Sequence, residues 1–332
     1  MKPQKVMIFG GTGFLGYAAA KLFSERGAEV SACAMPGELA SLDWMDSRIS
    51  LKLVDLFSAD HAELTALAEG CDTAVYALGP DDRILPDAPA YDFFKERLVD
   101  KCVSVLSAAK DAGVRRCVVL SSYFCYFDRR EKGKLSRFHP YIRARSEQEK
   151  AVVALGEKGG FEVMIVEIPY VFGAPVGRKP IWKDALLSHF DGLSRVFFPA
   201  GGGTAAVDVS GVAQAICAAA VNGVHGQCYQ DAKENYLFSE LIPMMLAHAG
   251  DRRGYTSVPA FLCTLWTKRI EKKNRAAGKE SGLNLSRLMT QIQNRKFYLD
   301  PEVLYQQLDY ASLGFDGGRA VEEGVAESMA AL

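Results

Sequence analysis

The segment Gly10-Gly11-Thr12-Gly13-Phe14-Leu15-Gly16 follows directly on the apolar run Lys5-Val6-Met7-Ile8-Phe9. It leads into the helix-like stretch Tyr17-Ala18-Ala19-Ala20-Lys21-Leu22-Phe23. A β-like run, a glycine turn and a helix in that order severely restrict what the chain can fold into. Gly10 permits a tight turn off the strand, and Gly13 leaves out a side chain where a pyrophosphate approaches the backbone. Gly16 lets the helix pack close to the sheet, with the positive end of its dipole facing the phosphates. As a bare string a glycine triplet says little; between a strand and a helix it is a specific signal for dinucleotide binding.

The pattern that follows alternates strand and helix as far as about residue 170. Strands are expected at Ala28–Ala34, Ile49–Val54, Thr73–Leu78, Arg116–Ser121 and Phe161–Ile168, and helices at about 60–69, 90–112 and 141–158. Gly27, Gly70 and Gly113 close three of the helices. Such alternation requires a parallel sheet with right-handed crossovers and helices on both faces: an α/β, Rossmann-type doubly wound fold. After Pro169 the alternation breaks down. Val207–Val221 reads as a strand end and an alanine-rich helix, Gly226–Gln230 as one more strand, and the chain beyond Phe238 as mostly helical. The expected organisation is a dinucleotide-binding domain over 1–170 to which 204–235 return. Residues 171–203 and 236–332 then form a smaller, mostly helical lobe for the substrate.

At 332 residues the chain is long enough for such a core plus a lobe. Its 39 Lys and Arg nearly balance 40 Asp and Glu, so no global field draws it to nucleic acid or membrane. The eight cysteines include no C-x-x-C pair and the five histidines are dispersed, which indicates neither a disulfide framework nor a metal site. Met1-Lys2-Pro3-Gln4 runs straight into the first strand, and no apolar stretch approaches the ~18 residues of a membrane span. The expected compartment is the cytoplasm.

The chain resembles the extended short-chain dehydrogenase/reductases, the NAD-dependent epimerase/dehydratase group, over roughly residues 5–235. The resemblance is carried by the glycine motif, by Asp55-Leu56 after the third strand, by Ala77-Leu78-Gly79 after the fourth and by Leu120-Ser121-Ser122 after the fifth. Pro169-Tyr170-Val171-Phe172-Gly173, Pro199-Ala200-Gly201-Gly202-Gly203 and Val207-Asp208-Val209-Ser210-Gly211-Val212 complete it. It implies NAD or NADP as cofactor, with Gly10, Gly13, Phe14, Leu15 and Gly16 on the pyrophosphate and Asp55 and Leu56 on adenine. Ala77 and Pro169 would also line the cofactor site. The family's serine falls on Ser122, with Ser121 a near alternative, and its tyrosine on Tyr141. A homodimer through the helices flanking the fifth strand is a further implication.

Three positions depart from the family pattern. Tyr-x-x-x-Lys becomes Tyr141-Ile142-Arg143-Ala144-Arg145, so an arginine stands where a lysine is usual. Arg145 supplies charge and hydrogen bonds to a phenol but stays protonated and cannot relay a proton. The second strand ends in Ala34-Met35 instead of an acid for the NAD ribose or an arginine for the NADP phosphate. Leu98 falls where relatives often carry asparagine.

Two functions stay open on this reading. One is an NAD(P)-dependent oxidoreductase or epimerase/dehydratase acting on a carbonyl, hydroxyl or nucleotide-sugar-like small molecule, with Ser122, Tyr141 and Arg145 as its catalytic set. The other is a catalytically weak dinucleotide-binding protein serving as sensor, scaffold or RNA-associated factor. Arg129, Arg130, Lys132, Lys134 and Arg137, with Arg178 and Lys179, read either as a solvated loop or as the approach of an anionic substrate. The basic run Lys268–Arg275 follows Phe261-Leu262-Cys263-Thr264-Leu265-Trp266. It reads either as a lobe helix with its apolar face buried or as a helix at a membrane surface, and the first is the expectation.

Overall fold

The computed structural model describes residues 3–37, 42–177 and 179–330. The first half runs β1 (Lys5–Phe9), α1 (Phe14–Glu25), β2 (Glu29–Ala34), β3 (Ile49–Leu53), α2 (His61–Ala68) and β4 (Thr73–Tyr76). There follow α3 (Ala90–Phe94), a π-helical stretch over Lys95–Asp100, α4 (Lys101–Asp111), β5 (Arg116–Ser122), α5 (Tyr123–Arg130), α6 (Pro140–Leu155) and β6 (Glu162–Ile168). The second half continues with β7 (Tyr170–Phe172), α7 (Trp182–Ala185), β8 (Arg195–Pro199), β9 (Gly203–Asp208), α8 (Val209–Asn222), β10 (Cys228–Gln230), β11 (Glu234–Leu237) and α9 (Phe238–His248). It ends with β12 (Gly254–Val258), α10 (Ala260–Ala276), α11 (Leu285–Leu288), β13 (Lys296–Phe297), α12 (Pro301–Gln307), α13 (Tyr310–Leu313) and α14 (Val321–Ala330).

Seven parallel strands form the main sheet in the order β10-β6-β5-β4-β1-β2-β3. Strands buried on both faces read as continuous apolar runs, and alternate residues then serve opposite layers. Val6 and Ile8 of β1, Val118 and Leu120 of β5, and Met164 and Val166 of β6 face one core together with α1 and α8. Met7 and Phe9, Cys117 and Val119, and Val163 and Ile165 face the other, under α2 and α4. The fold is the Rossmann type expected from the βα alternation. Strand order reverses between β1 and β4, which places the ligand crevice at their C-terminal ends.

Of residues 204–235, α8 packs on α1 and β10 extends the main sheet, whereas β9 and β11 belong to a second sheet. There β9 pairs antiparallel with β11 and parallel with β7 and β13. A third, two-stranded sheet joins β8 and β12 in parallel.

Two segments differ from the sequence expectation. The basic loop after β5 begins as α5, whose first turn is capped by Ser122: its Oγ accepts from the Phe124 amide at 3.3 Å. α10 turns its apolar residues outward. Its inward face is Cys263, Thr264 and Thr267, and the Thr267 hydroxyl donates to the Leu285 carbonyl at 2.7 Å, fastening that face to α11. Phe261, Leu262 and Leu265 lie on the outer side and are exposed, and Trp266 flanks them, partly covered by its contact with Phe190. The expected burial of that face is therefore corrected by which residues make the contact. No helix among the described residues is long and apolar enough to cross a membrane.

Candidate active site

The glycines of the first turn each meet a different demand. Gly10 has φ +90°, a conformation L side chains rarely adopt. A Cβ on Gly16 would stand 2.2 Å from the Gly10 carbonyl oxygen, so only glycine lets α1 start this close to the turn. A Cβ on Gly13 would meet only that same oxygen, at 3.2 Å, leaving its other side open. Gly13 is the N-cap of α1 and offers no side-chain acceptor, and the first turn of the helix holds no acid. The amides of Phe14, Leu15 and Gly16 are thus available to an anion at the positive end of the helix dipole.

In front of this turn lies a cleft of about 270 Å³. Gly10, Thr12 and Gly13 form its floor, Ala77, Leu78 and Gly79 one wall, and Cys33, Ala34, Met35, Val54, Leu56 and Phe57 the other. The residues present fit a dinucleotide: a phosphate-accepting helix end at the switch point, flanked by apolar walls for flat rings. Asp55 is turned into its own loop, where its carboxylate accepts from the Phe57 amide at 2.9 Å and is held below its usual range by that bond. Val54, Leu56 and Phe57 form the wall at this point, and Phe57 carried no sequence signal. Pro169 is buried between β6 and β7, outside the lining. Leu98 is fully buried against Gly79, filling the space beside that wall with hydrocarbon.

Tyr141 and Arg145 meet as the i, i+4 spacing on α6 requires. Arg145 Nε donates to the Tyr141 hydroxyl at 3.1 Å, and Arg145 Nη1 donates to the Leu120 carbonyl at 3.1 Å and to Gln148 Oε1 at 2.9 Å. Both side chains are buried at the C-terminal end of β5. The tyrosine is fixed from the other side by Phe94, whose ring meets it edge-on at 5.5 Å. Its amide donates to the Gly282 carbonyl at 3.0 Å, so the segment after α10 closes over the start of α6. Burial pushes the Tyr141 phenol up to about 12, and Arg145 pulls the other way.

Asp82, on the loop after β4, escaped the sequence reading. Its charge acts on Tyr141, Arg145, Tyr123 and Tyr170, and burial followed by the neighbouring Asp81 raises its carboxyl to about 6. The acidic pair Asp81-Asp82, just past the Gly79-Pro80 turn that follows the fourth strand, was the available signal.

Ser121 points elsewhere. Its hydroxyl donates to Glu149 Oε1 at 2.6 Å, in a buried group with Cys125 and Glu167. Arg129 supplies the cation there, donating to Glu149 at 2.5 Å and to Glu167 at 2.8 Å. Burial nevertheless holds the Glu167 carboxyl well above the usual carboxylate range. Arg129 is therefore committed inward, and Arg130 donates to the Tyr126 hydroxyl at 2.8 Å, which leaves Lys132, Lys134 and Arg137 as the solvated remainder of the basic cluster. Lys179 is exposed, and Arg178 lies outside the described residues.

A glycine-turned helix end facing a cleft at the switch point of a parallel sheet defines a dinucleotide-binding Rossmann protein. The sequence matches the NAD(P)H-binding family over residues 10–178, and the chain belongs to that family. No curated protein matches it in sequence. Among solved structures it is similar to the protein gox2253, at 19% identity and TM-score 0.75, covering 98% of this chain and 97% of that one. A nucleoside-diphosphate-sugar epimerase from Pseudomonas aeruginosa is similar at 14% identity and TM-score 0.67, over 98% and 96% of the two chains. A dTDP-glucose 4,6-dehydratase from Streptomyces venezuelae, solved with NAD bound, is similar at 17% identity and TM-score 0.68, over 98% and 95%. At these identities the likeness establishes a shared fold.

Proposed function

We propose that this chain is an NAD(P)-dependent oxidoreductase or epimerase/dehydratase of the extended short-chain dehydrogenase type, acting on a carbonyl or hydroxyl of a nucleotide-sugar-like small molecule. The observation that carries this reading is the buried Tyr141–Arg145 pair at the C-terminal end of β5, the same end of the sheet as the cleft. A bound nicotinamide supplies or accepts the hydride. Tyr141 exchanges the proton of the substrate oxygen. With its phenol near 12 the tyrosine holds its proton at neutral pH and is set to donate to a developing alkoxide. Arg145 stabilises the phenolate that donation leaves behind, and as a permanent cation it takes no part in proton relay. The Ser122 oxygen accepts from Phe124, so its own O–H remains to hold the substrate oxygen.

The same raised phenol supports the second reading, a dinucleotide-binding protein of weak activity, because a tyrosine this protonated is a poor base for the oxidative direction. Turnover against pH separates the two on a panel of carbonyls and nucleotide-sugars. Tyr141→Phe keeps the ring and should lower kcat by ~10²–10⁴ with NADH binding retained. Arg145→Lys should preserve or raise activity, and Arg145→Met should lose it and move the pH optimum upward, since removing the cation raises the phenol further. Full activity in Tyr141→Phe would overturn the assignment.

A further inference from the structure

α10 carries a largely exposed apolar face, on which, among the described residues, Trp266 alone of its large apolar side chains has a ring contact, with Phe190 at 5.5 Å. Phe261, Leu262, Leu265 and Trp266 are between 38% and 62% exposed, an unusual concentration of large apolar groups in two helical turns. The next two turns hold Lys268, Arg269, Lys272 and Lys273, all exposed and without an acidic partner among the described residues. At 100° per residue the four apolar and four basic residues fall within a sector of about 160°, with Phe261, Leu265, Lys268, Arg269 and Lys272 in about 100° of it, so apolar and basic groups look out on the same side. They are separated along the axis, with Phe261 and Lys272 about 16 Å apart at 1.5 Å per residue. The one acid on the helix, Glu271, is turned away to Arg275 at 2.8 Å and to Ser286. The helix is held rigidly from beneath by its Cys263, Thr264 and Thr267 face.

We propose that this face of α10 docks on an anionic lipid surface. The N-terminal half inserts Phe261, Leu262 and Leu265 among the acyl chains near the headgroups, with Trp266, held on Phe190, at the margin of the wedge, and Lys268, Arg269, Lys272 and Lys273 meet the lipid phosphates and carboxylates. The charge pattern selects this occupant. Four unpaired cations beside an apolar wedge, with no carboxylate on the sector, complement a surface that is negative outside and apolar just within. The attachment is interfacial, since no described helix can span. It also extends to a membrane surface a chain whose balanced overall charge indicates no such partner, because the cations are gathered on one helix instead of spread over the molecule. The segment that follows α10 reaches Gly282, whose carbonyl takes the Tyr141 amide, so docking would place a lipid surface one short strap away from the Tyr141 pair.

The test is co-sedimentation of the full chain with vesicles of phosphatidylcholine alone and of phosphatidylcholine with phosphatidylserine, at low and high salt. Each cation at the surface is worth about fivefold in partition, so acidic vesicles should bind at least about 50-fold better than neutral ones, and salt should abolish the difference. Lys272→Glu/Lys273→Glu should weaken binding to acidic vesicles by about 25-fold or more. Leu265→Asp should weaken it by about tenfold with the cations intact. These positions are exposed, and unchanged NADH titration and melting in both variants confirm that they fold. Equal binding to neutral and acidic vesicles, or parent-like binding by either variant, would overturn the proposal. A dimer in sedimentation that Leu265→Asp dissolves, with no vesicle binding by the parent, would reassign the face to self-association.

Discussion

Valine at Gly13 and alanine at Gly16 should fail in different ways, because the two glycines solve different problems. The backbone at Gly13 has φ −74° and ψ 165°, which any residue adopts, and a Cβ there touches only the Gly10 carbonyl oxygen at 3.2 Å. Gly13→Val should therefore leave stability within about 1 kcal/mol of the parent, the cost of a poorer N-cap. Its two methyls occupy the space a pyrophosphate needs to reach the Phe14, Leu15 and Gly16 amides. Losing two charge-assisted bonds at about 1.5 kcal/mol each removes about 3 kcal/mol, a fall in affinity of about 10² or more. At Gly16 a Cβ would lie 2.2 Å from the Gly10 oxygen and 2.9 Å from its carbonyl carbon, both backbone atoms. The helix or the turn must then move by more than about 1 Å to reach ordinary contact, an overpacking cost of about 1–3 kcal/mol that the better helix propensity of alanine offsets by at most about 1 kcal/mol. Gly16→Ala should thus melt a few degrees lower and bind more weakly through a displaced helix end. NADH fluorescence titration and a thermal melt on the same samples read both quantities. Parent-like NADH affinity in Gly13→Val would refute the placement of the phosphates. Parent-like melting in Gly16→Ala would refute the packing argument.

Two further outcomes follow from the site. Ala34 and Met35 line the cleft where an acidic side chain for the ribose hydroxyls or an arginine for the 2′-phosphate would stand, so NADH and NADPH affinities should differ by less than roughly 10², and a larger ratio in parallel titrations would point to another residue reading the ribose. His139 is fully buried, with Nδ1 accepting from the Asn284 amide at 3.0 Å and Nε2 donating to Gln291 at 3.2 Å, and burial lowers it to about 4. A depressed folded value means stability that is present above the unfolded value near 6.5 and is lost as pH falls toward 4, by up to about 3 kcal/mol. Urea melts from pH 7 to 4 should show that slope in the parent and a flatter one in His139→Asn, and equal slopes would exclude His139 as the cause.

What the sequence determined by itself is local or periodic. The turn at Gly10–Gly16, the βα alternation and the parallel sense of the main sheet could be read because glycine conformation and apolar periodicity act over a few residues, and strands joined by helices leave few topologies. Tyr141 and Arg145 were legible as a pair for the same reason, being neighbours on one helix face. Tertiary structure alone decided the remainder. That Asp82 acts on Tyr141, that Arg129 is spent on Glu149 and Glu167, and that Gly282 closes over α6 are contacts between segments far apart in the chain, which no local spacing encodes. The orientation of α10 is of the same kind. Its sequence offers an apolar stretch followed by a basic one, but which side is buried is set by the contact with α11, where Cys263, Thr264 and Thr267 face inward and Thr267 donates to the Leu285 carbonyl. One hydrogen bond contributes about 1 kcal/mol, less than burial of those apolar side chains would, so their outward position follows from where the neighbouring elements lie in space, which no local pattern encodes.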